Sequence, residues 1–332
     1  MVAAIKNLIA SILYYSGLFK IILQVRLRHK AVVLMYHQVI SNAGQSLTML
    51  PGMFVYKDTF EKHINCLKKN LRIISFPEMI AKIRNGEDIS GCCIITFDDG
   101  WKDFYEEAFP VLKKFGTKAT VFLATGLIDS DSTFWFEETR LNLKDNLEDC
   151  IQMIKKSNLL PGCINSRSYP INIVIDDIIE RMKNIELSKR EELINKLREM
   201  NSYKRSYHSM MRWDDAIDML SSGLINFGAH TIHHVMLDQV DMDTAEHEII
   251  DSIEVVRTRL NVDEKIFSYP NGNYNEKIIQ ILRKNGVDCA VTTKKGYVDN
   301  NTNLMLIPRI GMHEDISLTI PRFLARITLP GF

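Results

Sequence analysis

The sequence has no excess charge of either sign and no unusual composition. Lys and Arg together number 41 among the 332 residues, and Asp and Glu also number 41. A zero net charge and a pI near 7.1 argue against a chain whose main role is to hold nucleic acid or membrane through bulk charge. Hydrophobic residues at 46% and charged residues at 25% exclude a disordered, collagenous or low-complexity chain.

Cysteine is present without a pattern. The six cysteines stand at positions 66, 92, 93, 150, 163 and 289 and form no CxxC pair or spaced framework. Cys92 and Cys93 begin an apolar run, so we predict that they are small buried hydrophobic residues. This usage is typical of a reducing compartment.

A hydrophobic run long enough to cross a bilayer is missing as well. The uncharged stretch near the N-terminus, residues 7–19, is 13 residues long, whereas a spanning helix needs about 20. No small-residue cleavage site follows it. Ile5, Leu8, Ile9, Ile12 and Leu13 recur at the spacing of one helix face. We therefore predict an amphipathic helix within residues 1–30 that docks on protein or lies on a membrane surface, with an uncleaved anchor and a signal peptide as alternatives. The expected location is cytoplasmic or peripheral at a membrane, with secretion and anchoring left open.

Apolar runs separated by helical patterns fill most of the remaining chain. The predicted strands are 31–36, 72–76, 92–97, 119–124, 224–228, 265–269, 289–293 and 305–310. Helical patterns cover residues 60–71 and 105–115, and Gly116 is placed to end the second helix. Fully apolar strands alternating with helices predict an α/β fold with a parallel sheet, and seven or eight strands favour a barrel.

One stretch departs from this alternation of strands and helices. Residues 129–207 are rich in charge and Asn and carry helical patterns such as that of residues 188–200. We interpret the stretch as a mostly helical insertion in a barrel spanning residues 31–332. No internal repeat is visible.

Two adjacent carboxylates, Asp98 and Asp99, follow the strand CCIITF directly. The carboxyl ends of parallel strands are where barrel active sites are built. Like charges side by side are costly unless a cation or a shared proton relieves them. A surface turn is the alternative, because Asp-Asp-Gly is also good turn chemistry.

A second polar cluster, His230-Thr231-Ile232-His233-His234, follows the strand LINFG. On one helical turn, His230 and His234 would face the same way and could bind one metal ion, with His233 as a competing ligand. Capping or core histidines are the alternative. Two histidines and one aspartate form a set that leaves positions open for water and substrate.

Two shorter motifs also stand at strand ends. Tyr269-Pro270-Asn271-Gly272 begins at the last residue of the strand KIFSY and would form a loop whose N–H groups could face the site, or a plain β-turn. His37 ends the strand AVVLMY, which places it at the catalytic end of the barrel, although a lone histidine there is more often structural.

TFDDG, HTIHH and YPNG in this order resemble the polysaccharide deacetylases, the family 4 carbohydrate esterases with a NodB homology domain. The resemblance covers residues 31–310. It implies a distorted (β/α) barrel of about seven parallel strands and metal-dependent removal of N- or O-acetyl groups from sugars.

The resemblance assigns roles by position. It implies that Asp98 is the catalytic base and that Asp99, His230 and His234 hold one divalent metal, with zinc expected and Co²⁺ or Ni²⁺ as alternatives. The predicted substrate-binding residues are Thr231, Leu237, Tyr269, Pro270 and Asn271, with Leu237 lining the acetyl pocket. Trp213 and Asp214 match a Trp-Asp pair of relatives, and we interpret Trp213 mainly as a packing residue.

Two departures concern the family pattern. Ser268 stands where relatives carry an arginine that steadies the base, so that arginine is missing from its usual place. The last motif, IPRIGMH, places His313 at a poor spacing for a general acid. The N-terminal MYH instead resembles circularly permuted members in which the first strand supplies the acid, which favours His37.

We therefore expect a deacetylase of an N-acetylated glycan or of a lipid-linked glycan intermediate. An amide hydrolase such as a lipid-linked sugar deformylase and a non-catalytic polysaccharide-binding barrel are the alternatives. The expected partners are an acetylated glycan or glycolipid and, through the N-terminal helix, a membrane surface. No nucleic-acid partner is expected.

Overall fold

The computed structural model describes residues 2–41, 52–160, 162, 169–200, 209–329 and 331–332. Contacts divide the chain into two compact units, the larger built from residues 1–45, 51–130 and 209–332 and the smaller from residues 46–50 and 131–208. The larger unit is an α/β fold around a curled parallel sheet.

The sheet explains why the strand sequences are apolar, since helices cover it and every residue of its central strands is buried. Its principal order is β10-β1-β5-β6-β7-β8-β9, and the short β4 pairs with the start of β5. A separate pair is formed by β2 and β3. The strands are β1 Ala31–Tyr36, β2 Gln38–Ile40, β3 Phe54–Tyr56, β4 Arg72–Ile73, β5 Cys92–Phe97, β6 Ala119–Leu123, β7 Ile225–Ala229, β8 Ile266–Ser268, β9 Cys289–Val291 and β10 Ile310–Gly311.

The helices of the larger unit are α1 Val2–Tyr15, α2 Leu18–Arg26, α3 Lys57–Asn70, α4 Phe76–Arg84, α5 Phe109–Phe115, α10 Trp213–Ser221, α11 Met242–Leu260, α12 Glu276–Lys284, α13 Glu314–Ser317 and α14 Ile320–Thr328. Their ends follow capping chemistry. Ser75, Asp241 and Asn275 accept hydrogen bonds from the first turns of α4, α11 and α12. Gly116 ends α5 in a left-handed conformation, as its sequence position predicts.

Residues 307–311 pair with both end regions of the sheet, β9 on one side and β1 on the other. Ile307 pairs with Val291 of β9, and Ile310 pairs with Leu34 of β1. The predicted strand 305–310 is therefore wrong in extent. Residues 304–306 form a 3₁₀ turn capped by Asn303, and Pro308 cannot donate to a ladder, so regular pairing begins only at Ile310. The predicted helix 105–115 likewise begins as a π-helical turn, Phe104–Ala108, before α5.

The N-terminal segment forms two helices rather than one. Gly17 adopts a left-handed conformation with φ of 75° between α1 and α2, and the two axes differ by 96°. Both helices pack on α14 and bury Ala10, Phe19, Leu23 and Leu27.

The smaller unit contains four helices within its described residues: α6 Trp135–Asp145, α7 Leu147–Ser157, α8 Ile171–Lys183 and α9 Leu187–Met200. Its core holds apolar side chains of α6, α7, α8 and α9. Arg140 is buried there with an ion pair to Asp176 at 2.8 Å. The helical content agrees with the sequence pattern.

Candidate active site

Four strands of the sheet deliver polar residues to one edge of it. Asp98 follows β5, His230 follows β7, Ser268 ends β8, and His37 follows β1. In a parallel sheet the carboxyl ends of all strands lie on the same side, so the topology alone brings these residues together. We call this edge the catalytic rim.

Asp98 is held by a buried arginine. Arg309 Nη1 and Nη2 donate to Asp98 Oδ1 and Oδ2 at 2.7 and 2.6 Å, and Arg309 is 0% exposed. The same guanidinium donates to Thr96 Oγ1 and Ser268 Oγ, while its Nε donates to the Thr292 carbonyl. Burial alone would raise the pKa of Asp98, but the charge and hydrogen bonds of Arg309 outweigh burial and hold the pKa below its usual value.

Arg309 is the functional residue that the sequence reading missed. The sequence shows Ser268 where the family pattern places the arginine that steadies the base, and it points to no replacement. The structure supplies the guanidinium from the segment leading into β10, with Ser268 as one of its acceptors. A sequence signal existed, because an arginine after Pro308 in an otherwise apolar segment has few reasons to be buried unless it meets a carboxylate.

Asp99, His230 and His234 form a cluster whose ligand atoms all lie within 4.8 Å of one another. The Nε2 atoms of His230 and His234 both lie 3.5 Å from Asp99 Oδ1. Two tetrahedral ligand atoms, each about 2.1 Å from one zinc ion, would be about 3.4 Å apart. The spacing of the three side chains therefore fits a single divalent ion.

Neighbouring groups orient this cluster. His230 Nδ1 donates to the Ser268 carbonyl at 2.8 Å, which turns the ring so that Nε2 faces Asp99. Trp101 Nε1 donates to Asp99 Oδ2 at 2.8 Å and leaves Oδ1 toward the histidines. Burial lowers the pKa of His234 to about 4, which favours the neutral imidazole that metals require. Such outer contacts are typical of metal sites.

The His motif does not form a helical turn, so the predicted local geometry is wrong. Residues 231–236 are a loop in which Thr231 and His234 have φ values of 63° and 55°. Glu248 of α11 accepts the N–H groups of Ile232 and His233 at 2.8 and 2.9 Å, so these groups are not available to a helix. Glu248 also binds His233 Nδ1 at 2.7 Å, and His233 is directed away from the cluster.

Left-handed backbone is concentrated at this rim. Asp99 has a φ of 81°, an uncommon value for a residue other than glycine, and Asn271 has a φ of 57°. The two residues that follow them, Gly100 and Gly272, also have positive φ. Such conformations cost free energy and persist where the surrounding structure fixes them, as functional loops often require.

His37 and His313 line the same cavity of about 220 Å³, together with Arg309, Lys295 and Arg326. His313 is partly buried and directly precedes the first turn of α13, rather than standing in an exposed loop. A carboxylate within ion-pair distance would help to keep His37 protonated, but His37 forms no ion pair among the described residues. His313 Nδ1 lies 3.4 Å from Asp315 Oδ2.

The predicted substrate-binding residues divide between the surface and the core. Asn271 is exposed at the rim in a 3₁₀ turn that begins at Pro270. The Tyr269 side chain is buried and its hydroxyl donates to the Met305 carbonyl at 3.0 Å, so it supports the turn rather than offering a contact. Leu237 and Thr231 are buried, and Thr231 Oγ1 has no hydrogen-bond partner among the described residues.

Trp213 begins α10 and lies 7% exposed, with the guanidinium of Arg259 over its ring at 5.9 Å. Its backbone N–H is 3.4 Å from Asp129 Oδ2. These contacts agree with a packing role.

Comparison with known sequences adds an independent finding. Residues 85–290 match a family profile described as "Polysaccharide deacetylase". The chain is also 25% identical over 290 residues to a Bacillus subtilis protein named "Putative polysaccharide deacetylase YxkH", covering 87% of this chain and 73% of that protein.

Solved structures share the fold. A Streptococcus pyogenes deacetylase, PplD, in complex with acetate superposes with a TM-score of 0.61 and 21% identity, over 91% of this chain and all of that one. IcaB from Ammonifex degensii superposes with a TM-score of 0.56 and 17% identity, over 90% of this chain and 97% of that one.

Proposed function

Since the chain belongs to the polysaccharide deacetylase family, we propose that it hydrolyses N-acetyl groups of a glycan or of a lipid-linked glycan intermediate in a metal-dependent reaction. Membership makes the chain a hydrolase of carbon–nitrogen bonds other than peptide bonds. The observation that carries the finer proposal is the pairing of Asp98 with Arg309 directly beside the Asp99, His230 and His234 cluster.

The residues have complementary roles in this proposal. A divalent metal held by Asp99, His230 and His234 would supply a Lewis acid at the acetyl carbonyl and make water more acidic. Asp98 accepts a proton from the attacking water, and Arg309 keeps Asp98 ionised and fixed in orientation. The water oxygen forms a bond to the acetyl carbon.

The carbon–nitrogen bond then breaks, and the sugar nitrogen must gain a proton, because an amide anion is a poor leaving group. We assign this proton to His37, which follows β1 at the rim and lines the cavity beside Arg309. The products are acetate and a free amino sugar. His313 lines the same cavity and is the competing candidate.

The reaction is tested by incubating the metal-loaded protein with N-acetylated oligosaccharides and measuring released acetate. We expect Asp98→Asn to keep its metal and lose about 10²–10⁴-fold in turnover, because the amide preserves shape but accepts no proton. Loss of metal in this variant would instead make Asp98 a ligand. Release of formate from a formylated substrate would favour the deformylase alternative, and release of neither acid would favour a binding barrel.

The acid is tested by comparing two histidine variants on matched substrates. We expect His37→Ala to lower kcat on acetamides more than on acetate esters, because an alkoxide leaves more easily than an amide anion. His313→Ala should retain amide turnover. Loss of amide turnover in His313→Ala with normal turnover in His37→Ala would identify His313 as the general acid.

Metal binding is tested by elemental analysis of purified variants. We expect His234→Ala to lose the metal, because one of three ligands is removed from the cluster. His233→Ala is the matched control and should retain it, since His233 is paired with Glu248. Equal metal content in both variants would contradict the ligand set.

A further inference from the structure

The surface of α1 and α2 is unusually apolar. Nine of the fourteen large hydrophobic side chains that are exposed in the described residues lie between Ile5 and Val25. They include Leu8, Ile12 and Tyr15, which are 62, 57 and 82% exposed. Exposed apolar groups on a soluble protein are usually scattered, so this concentration indicates an interaction site.

This exposed face is not the surface through which α1 and α2 pack on the rest of the larger unit. The opposite side of the helix pair already packs on α14 through Ala10, Phe19 and Leu23. The exposed residues are therefore a second apolar face, directed to solvent while the first is buried.

Basic side chains predominate beside α2. The first 57 residues of the sequence contain six Lys or Arg and no Asp or Glu, so the rest of the chain carries 35 basic and 41 acidic residues. Two cavities of about 290 and 430 Å³ adjoin α2, and both are lined by Lys20 and Lys69. Arg28 lines the first and Lys62 the second, and neither lining contains a carboxylate.

We propose that the outer face of α1 and α2 docks on a bilayer surface containing anionic phospholipid, with the apolar side chains in the acyl boundary and the basic side chains at the headgroups. Apolar insertion combined with basic residues is the chemistry of interfacial helices. Lys20, Lys62, Lys69 and Arg28 form no ion pair with a carboxylate among the described residues, which leaves their charges for lipid phosphates.

Two other occupants fit less well. A second copy would bring the basic side chains beside α2 against the same basic side chains, and like charges oppose such a contact. No single described helix is long and apolar enough to cross a bilayer, and α1 and α2 satisfy the length and composition only as a pair bent by 96°. A bent pair packed along α14 suits a position in the interface.

The test is sedimentation of the full chain with vesicles of phosphatidylcholine, with and without about 30 mol% phosphatidylglycerol. We expect binding to the anionic vesicles, weaker binding to pure phosphatidylcholine, and loss of binding as salt is raised. Ile12→Glu should lower the partition coefficient about tenfold. Lys20→Glu should lower it about fivefold or more.

Matched controls lie elsewhere on the surface. Ile217→Glu places the same change at a similarly exposed isoleucine of α10, and Lys277→Glu reverses an exposed lysine of α12. Both should bind as the unmodified chain does.

Failure of the chain to sediment with anionic vesicles would overturn the proposal, as would equal losses in the controls. A dimer in solution that Ile12→Glu converts to a monomer would assign the face to a second copy instead. Acetate release from a soluble oligosaccharide should be unchanged in all four variants, so failure here is distinguishable from failure of the proposed function.

Discussion

Arg309 sets the charge balance of the catalytic rim. Asp98 and Asp99 are both buried and adjacent, and two uncompensated carboxylates could not remain ionised in such a place. One guanidinium binds both oxygens of Asp98, and Asp99 faces two histidines instead. The two aspartates therefore have different partners, which separates a proton acceptor from a candidate metal ligand.

Replacing Arg309 should separate activity from metal binding. Arg309→Met leaves Asp98 buried without its charged partner, with only a long hydrogen bond from Ser268 Oγ at 3.4 Å, and should lower the free energy of unfolding by about 3–5 kcal/mol. Arg309→Lys keeps the charge but cannot bind both oxygens, so we expect turnover to fall about 10–100-fold with the metal retained. Urea denaturation, elemental analysis and acetate release measure the three effects. Full activity of Arg309→Lys would show that the bidentate contact is dispensable.

The sequence predicted the residues that local motifs carry, and it missed the one that no local motif carries. Asp98 and Asp99 are neighbours on the chain, and His230 and His234 are four apart, so each pair is visible in a short window. Arg309 meets Asp98 across 211 positions. Such a contact depends on the closure of the sheet, which propensity and spacing do not describe.

At the scale of elements, strands were easier to predict than the loops that follow them. The apolar runs of β1, β5 and β6 are buried on both faces, and burial alone determines their pattern. The His230 loop was predicted as a helical turn because its histidine spacing is helical. The carboxylate of Glu248, on another element, binds the loop N–H groups and stabilises a different conformation.

His63 of α3 is a buried titratable side chain in the contact between α3 and α14. Its ring is 0% exposed and stacks on Phe323 of α14 with centroids 3.9 Å apart. Nε2 donates to the Ser317 carbonyl at 2.7 Å, while Nδ1 accepts from the Tyr36 hydroxyl at 3.2 Å. Burial lowers the pKa of His63 from 6.5 to about 4.

This histidine should make the fold sensitive to mild acid. Between pH 6.5 and 4 the unfolded chain binds a proton at His63 and the folded chain does not, so stability falls as the pH falls, by about 3 kcal/mol in total. His63→Gln should flatten this part of the pH dependence, measured by urea denaturation at several pH values. His247→Gln, on the exposed surface of α11, is the control and should leave it unchanged. An unaltered slope in His63→Gln would assign the acid sensitivity to other groups.

For the whole molecule, the parallel α/β architecture was predictable because it follows from repeated strand–helix units. The bend between α1 and α2 was not predictable, because the apolar spacing covers only residues 5–13. It gives no indication that the chain changes direction at Gly17. The mostly helical character predicted for residues 129–207 was visible in composition and periodicity, whereas the packing of the four described helices α6–α9 into a compact unit depends on contacts between them.

If the chain docks on a membrane and acts on a glycan, its KM should depend on whether the substrate is in a membrane or in solution. On an acetylated glycolipid embedded in anionic vesicles, Ile12→Glu should raise KM while leaving kcat unchanged, because it weakens only the approach to the surface. On a soluble oligosaccharide the same variant should match the unmodified chain, as should Ile217→Glu on both substrates. Steady-state kinetics with each substrate provide the measurement. Equal KM values on the glycolipid would show that docking does not contribute to substrate capture.

The long separation between Asp98 and Arg309 also has a consequence in time. Ribosomes add about 5–20 residues per second, so the 211 residues between the two positions take roughly 10–40 s to synthesise. Throughout that interval a nascent chain already holds the aspartate pair but lacks the guanidinium that steadies the first of them. The Asp98–Arg309 pair can therefore form only after Arg309 has been synthesised, however early the strand that carries Asp98 folds.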